Sequence, residues 1–225
     1  MTTVRTRPMP TTRDRILDAA ERLLARFGYK KTTMEDIARE AGLGKRTLYL
    51  HFASKEAVAL STIDRIVDRL TGQLRAVAAA VGPPEERLRE MLLRRVLVRF
   101  DSVRHYAHSL DELFESLRPA YMARRARYFA AEARVVADLL TEGRRLGAFA
   151  CDDPEATAHT LLLATNSLLP YSLTARELGK REDVKQKALR IVDLLLTGLR
   201  PRRATPNLTG RLEIGRPKAS GPRLR

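Results

Sequence analysis

A dense group of polar side chains, Lys45, Arg46, Thr47, Tyr49 and His51, occupies one short segment of this chain. The group offers an ammonium, a guanidinium fork, two hydroxyls and an imidazole, with no carboxylate among them. Such a set donates hydrogen bonds to anions and to base edges. On a short helix it suits the major groove of a nucleic acid duplex, where donors and acceptors distinguish the base pairs. Lys45 and Arg46 stand near the start of that helix, the end that enters the groove in helix-turn-helix docking. Arg46 can bond bidentately to guanine, and Lys45 can meet either a guanine or a phosphate.

Apolar spacing shows which elements must hold this group in place, and it is helical almost everywhere. Ile16, Leu17, Ala20, Leu23, Leu24 and Phe27 mark a first helix from about Arg13, with Gly28 placed to stop it. Thr32 and Glu35 read as a capping box opening a second helix through Ile37, Ala38 and Ala41, ended by Gly42. A third helix follows from about Gly44 to Phe52. Ile37, Ala38, Ala41, Leu43, Leu48 and Phe52 are spaced to bury against the first helix. Two short helices joined at Ala41-Gly42-Leu43 and backed by an amphipathic helix are helix-turn-helix organisation. Ser54 is a good N-cap for a long fourth helix ended by Gly82-Pro83-Pro84. Thr33 and Lys55, at the starts of the second and fourth helices, stand where unpaired N–H groups attract phosphate. The plainer reading makes Thr32 or Thr33 a cap, Tyr49 partial packing and Lys55 a solvated charge.

The stretch GYKKTTMEDIAREAGLGKRTLYLHFASKEAV resembles the N-terminal domain of the TetR family of transcriptional regulators. Gly28, Thr33, Ile37, Ala38, Ala41-Gly42, Thr47, Tyr49, His51-Phe52 and Lys55-Glu56 stand in that family's pattern, over roughly residues 10 to 60. The resemblance implies that Tyr49 and His51 touch backbone phosphates and that Thr47 meets a phosphate or a base. Two positions depart from the pattern: Gly44 replaces the common serine that opens the recognition helix, and Arg46 stands where a glycine is common.

Charge distribution agrees with a polyanionic partner. The chain has 225 residues and a formal net charge of +15; residues 1–56 hold 12 Lys and Arg against 7 Asp and Glu, and residues 201–225 hold 7 against 1. The middle is nearly balanced, so both ends are basic. Arg5, Arg7 and Arg13 could extend an arm along DNA; Gly215-Arg216-Pro217-Lys218 resembles the core of a minor-groove hook, but the simpler reading of this aperiodic segment is a disordered solubilising tail. No run nears the roughly 18 to 20 apolar residues of a membrane-spanning helix, and no apolar signal core opens the chain. A cytoplasmic, nucleoid-associated protein is expected. The single Cys151 excludes an internal disulfide and reads as a small buried hydrophobe. His51, His105, His108 and His159 show no metal-ligand spacing with acidic partners, and neither a phosphate loop nor a nucleophile elbow occurs. No catalytic residue, metal or cofactor is implied.

The remaining sequence stays helical. Leu88 to Phe100, Leu110 to Leu117 and Met122 to Leu140 form successive seams, with Pro119 between the last two. Asp153-Pro154 opens a further helix. The last helix carries Val184, Ala188, Ile191, Val192, Leu195 and Leu199, and Leu194 and Leu196 widen its apolar face as if it were buried on two sides. The expected architecture is all-α with about nine helices: an arm at 1–10, a helix-turn-helix domain at 11–57 with its motif at about 34–53, a helical ligand-binding and dimerisation domain at 58–200, and a basic tail at 201–225. The resemblance implies a homodimer through the last two helices on a palindromic double-stranded operator, released by a small-molecule effector. Candidate effector contacts are Met91, Phe100, Tyr106, Phe114, Tyr121, Met122, Phe129 and Asn166. Arg94, Arg95 and Arg99, or Arg124, Arg125 and Arg127, could meet an anionic effector, although an Arg-rich exposed helix face is the simpler reading. The competing functional reading is a helical lipid- or acyl-coenzyme A-binding protein, or an enzyme, that uses its basic surface for an anionic ligand.

Overall fold

The computed structural model describes residues 9–104, 110–168 and 179–201, with side chains throughout these except at 103–104 and 110–116. The tail from 202, most of the expected N-terminal arm, His105, Tyr106, His108 and the side chain of Phe114 lie outside the described residues. Among the described residues there are eight helices and no strand: α1 (Thr12–Lys31), α2 (Met34–Glu40), α3 (Lys45–His51), α4 (Lys55–Ala78), α5 (Pro84–Arg104), α6 (Leu110–Arg145), α7 (Pro154–Asn166) and α8 (Arg181–Leu199).

Capping decides where the first helices start. Thr11 caps α1 and exchanges hydrogen bonds with Asp14 in a capping box. At α2 the box lies one residue later than the sequence reading placed it. Thr33 accepts from the Asp36 backbone N–H at 3.1 Å, and the Asp36 carboxylate accepts from the Thr33 N–H at 3.2 Å. Thr32 is instead buried and donates its hydroxyl to the Gly28 carbonyl at 2.7 Å. That bond spans the break in α1, where Gly28 takes φ 81° while the helix resumes as far as Lys31. Ser54 and Asp153 cap α4 and α7 as expected.

The expected break at Pro119 does not occur, which reduces nine helices to eight. Pro119 lies inside α6. A proline there forfeits one backbone hydrogen bond and crowds the carbonyl four residues back. Pro119 itself is exposed, while Leu117 and Tyr121 on either side are buried against α1 and α4. Packing on both flanks therefore offsets the local cost of the proline, and the helix continues through it.

Three apolar clusters organise the molecule. Ile16, Leu17, Ala19, Ala20, Met34, Ile37, Ala38, Ala41, Leu48, Phe52 and Val58 form the core of the N-terminal helices. Leu24, Ala59, Leu60, Val67, Leu117, Tyr121 and Tyr128 join α1, α4 and α6. The third and largest, with Leu70, Leu74, Met91, Leu92, Val136, Leu140, Leu162, Val192 and Leu196, is the core of the C-terminal helices and includes Cys151. α4 contributes to all three, running without interruption across the sequence-derived boundary at 57–58. No described helix is long and apolar enough to cross a membrane.

Candidate nucleic-acid interface

The helix-turn-helix is fixed from behind by α1. Gly42 makes the turn with φ 65°, and the Arg15 guanidinium donates to the Ala41 carbonyl at 2.8 Å, satisfying the end of α2. A Cβ on Gly42 would meet that guanidinium at 3.3 Å as well as being strained at positive φ. Arg22 pairs with Glu40 at 2.7 Å, adding a second tie between α1 and α2. α3 then begins at Gly44 with no side-chain cap.

Leu48, 0% exposed, anchors α3 and sets the orientation of every other residue on it. At about 100° per residue, a residue two before Leu48 lies within about 20° of the direction opposite the core. Arg46 is that residue. It is exposed and makes no hydrogen bond or ion pair among the described residues. Lys45 and Tyr49 flank it on one side, with the Lys45 ammonium 5.9 Å from the centre of the Tyr49 ring. Thr47 and His51 flank it on the other.

The cations around Arg46 are engaged within the protein. Lys45 is ion-paired to Glu35 of α2. The hydrogen bond between them, aided by their opposite charges, pushes the Lys45 ammonium above its ordinary value and holds the Glu35 carboxyl below its own. Lys55 donates to the Tyr29 carbonyl at 2.8 Å and lies 4.3 Å from the centre of the Tyr29 ring. It therefore clamps the end of α1 to the start of α4, a role its residue type alone does not reveal. Thr33 is occupied as a cap, its hydroxyl also donating to Asp36 at 2.6 Å, and that hydrogen bonding keeps the Asp36 carboxyl below the usual carboxylate range. Arg13, expected in a free arm, folds back within α1. Its guanidinium lies 5.0 Å from the centre of the Phe52 ring and donates to Ser61 at 3.2 Å.

The described members of the expected effector set do not form one group. Phe129 and Asn166 meet around Arg95, whose guanidinium lies 5.6 Å from the Phe129 ring centre and donates to Asn166 at 3.3 Å. His159 stacks on Phe129 at 5.9 Å. Met91 and Phe100 are buried in the C-terminal helices. Tyr121 belongs instead to the cluster joining α6 to α1 and α4, 6.2 Å from Tyr128, and Met122 is 45% exposed.

Sequence reasoning missed the polar centre of this half. Arg95 and Glu132 are 1% and 0% exposed, joined at 2.6 Å, and Arg95 also donates to Thr165 at 3.0 Å. Arg99 pairs with the other Glu132 oxygen. The reading of this arginine cluster as an exposed face holds for Arg94, which pairs with Glu90, and fails for Arg95. The signal was present in spacing: Arg95 falls between Leu92 and Val96, and Glu132 between Phe129 and Val136, on seams that otherwise bury apolar residues.

These two halves match known proteins separately. Residues 16–62 match the model of bacterial regulatory proteins of the tetR family, and residues 84–192 match a tetracyclin repressor-like C-terminal domain. The chain belongs to the TetR family. Its two parts are a helix-turn-helix domain and a helical C-terminal domain of that family. Its curated relatives include the transcriptional activator FasR of Mycolicibacterium smegmatis, 31% identical over 109 residues, covering 48% of each chain. They also include the transcriptional repressor KstR2 of Mycobacterium tuberculosis, 31% identical over 94 residues, covering 42% of this chain and 45% of the relative. The regulator thus spans less than half the length of these relatives. A transcriptional regulator from Cytophaga hutchinsonii shares the fold, with TM-score 0.70 at 20% identity, covering 83% of this chain and 97% of that one.

Proposed function

We propose that this regulator is a ligand-responsive repressor that binds a palindromic double-stranded operator as a homodimer and is released by a small-molecule effector. The observation that carries the reading is the outward face of α3, where Arg46 stands unpaired among the described residues, opposite the buried Leu48. A guanidinium so placed reaches the floor of a major groove and bonds to guanine O6 and N7. Lys45, Thr47, Tyr49 and His51 stand to either side, where the groove walls present phosphates. The hydroxyl-capped start of α2 at Thr33 and the start of α4 at Lys55 approach the backbone on the flanks, with Lys55 acting chiefly through its hold on Tyr29. Residues 11–57 form the reading unit, and 58–200 the sensing and dimerising unit.

The proposed dimer uses α7 and α8, where Leu163 and Leu194 are 61% and 74% exposed. Two-fold symmetry then sets two copies of α3 about one helical turn of DNA apart, or a multiple of it, so the operator is palindromic. A dimer covering such a site excludes polymerase from the same duplex, and repression needs nothing more of it. The effector, in this reading, enters the C-terminal helices beside Phe129 and Asn166 and shifts the population away from the arrangement that fits DNA.

Selection of bound fragments from the source genome tests this. The expected result is enrichment of one palindrome, with affinity falling steeply and linearly in log salt. A folded protein that enriches no sequence at any salt concentration would refute it.

A further inference from the structure

α3 exposes a residue that the polar reading of the helix leaves unused. Leu50 is 79% exposed, on the helix whose other outward residues are cationic or hydrogen-bonding. A lone exposed leucine on a protein surface means little. This one stands two residues after Leu48 as Arg46 stands two before it, so both lie within about 20° of the direction opposite the core. The centre of the outward face is therefore one guanidinium and one isobutyl group, while Lys45, Tyr49, Thr47 and His51 occupy its margins.

The groove floor offers one apolar feature to such a group, the 5-methyl of thymine. Arg46 and Leu50 are separated by four residues, about 6 Å along the helix axis. Base pairs are stacked about 3.4 Å apart. An α3 seated with Arg46 on a guanine thus brings Leu50 over a base one or two pairs away. Charge favours this occupant over an apolar protein surface, because any partner reaching Leu50 must also accept the unpaired Arg46 beside it.

We propose that Leu50 is a specificity-determining residue that selects thymine, within two base pairs of the guanine read by Arg46, by packing on its 5-methyl group. The inference rests on the DNA-binding reading above and goes beyond it in assigning a second base to α3. It would give this helix of seven residues a second base to read.

The test starts from the duplex site that the full-length protein enriches from a random-sequence pool. Each thymine of that site is then replaced in turn by deoxyuridine, which removes only the methyl group. For the unaltered protein, deoxyuridine at one thymine of a half-site should weaken binding about fourfold, the worth of one buried methyl, and roughly fifteenfold when both half-sites are changed. Leu50→Ala should bind the thymine and deoxyuridine duplexes equally, and Leu50→Met should retain the discrimination. Leu50 is not buried, so circular dichroism of the variants should match that of the parent. If no deoxyuridine position separates the parent from Leu50→Ala, the assignment of Leu50 is overturned while DNA binding stands. If the pool yields no enriched site at all, the DNA-binding reading falls with it, before any thymine is replaced.

Discussion

Arg46 and Lys55 carry the same charge and both fall within the matched family stretch, yet their surroundings give them different work. Arg46 faces outward from α3 with no partner among the described residues, so its donors are available to a base. Lys55 spends one donor on the Tyr29 carbonyl and lies against its ring. Arg46→Ala should cost about 1–3 kcal/mol of operator binding and relax preference at one or two base pairs. Lys55→Ala should weaken all duplexes alike and also lower the unfolding midpoint, because it unfastens α1 from α4. Binding to the operator and to base-substituted variants, with thermal unfolding of both proteins, separates the two effects. Equal losses across every duplex for both would refute the division. The sequence made Arg46 legible because helical period and residue type are enough to place a guanidinium on a solvent face. Lys55 and Thr32 were not legible to the same degree. A lysine has three donors and a threonine hydroxyl one, and which carbonyls they find depends on how Gly28 bends α1.

Elements were readable wherever one seam and one cap agreed, as at Ser54 and Asp153, and misread where tertiary packing overruled a local signal. Pro119 is the clearest instance: its cost is local, and the burial of Leu117 and Tyr121 that offsets it is supplied by other helices. The ties among α5, α6 and α7 were hidden for the same reason. Arg95 of α5 bonds to Glu132 of α6 and to Thr165 and Asn166 of α7, in a site closed to solvent. Removing one partner of a buried pair leaves an uncompensated charge, which costs about 3–5 kcal/mol. Glu132→Ala should destabilise the protein by about that amount, seen as a lower midpoint in urea, and should loosen the C-terminal helices before the helix-turn-helix. Hydrogen exchange resolved by region checks the order of loss. Uniform loss of protection across α1–α3 and α5–α7 would show that α4 and the Tyr121–Tyr128 cluster bind the halves into one cooperative unit.

At the scale of the whole molecule, one chain leaves its own surface incomplete. The widened apolar face of α8 divides in the structure: Leu196 turns inward to the C-terminal core, while Leu194 is 74% exposed, and Leu163 of α7 is likewise 61% exposed. A single sequence can show that a helix has too many leucines for one stripe, but in the proposed dimer the element that covers the surplus is supplied by another copy. Two charges placed on this face, Leu163→Glu with Leu194→Glu, should leave the monomer folded, since neither side chain is part of its core. The variant should sediment as a monomer. It should lose most of its affinity for the full palindrome, because one α3 then binds without the second held at a fixed spacing. Its weak, salt-sensitive binding to unrelated DNA should fall much less, since that rests on the cationic face of each copy separately. A charged variant that still sediments as a dimer, or one that stays monomeric yet keeps full operator affinity, would exclude α7 and α8 as the assembly that sets the spacing of the two reading heads.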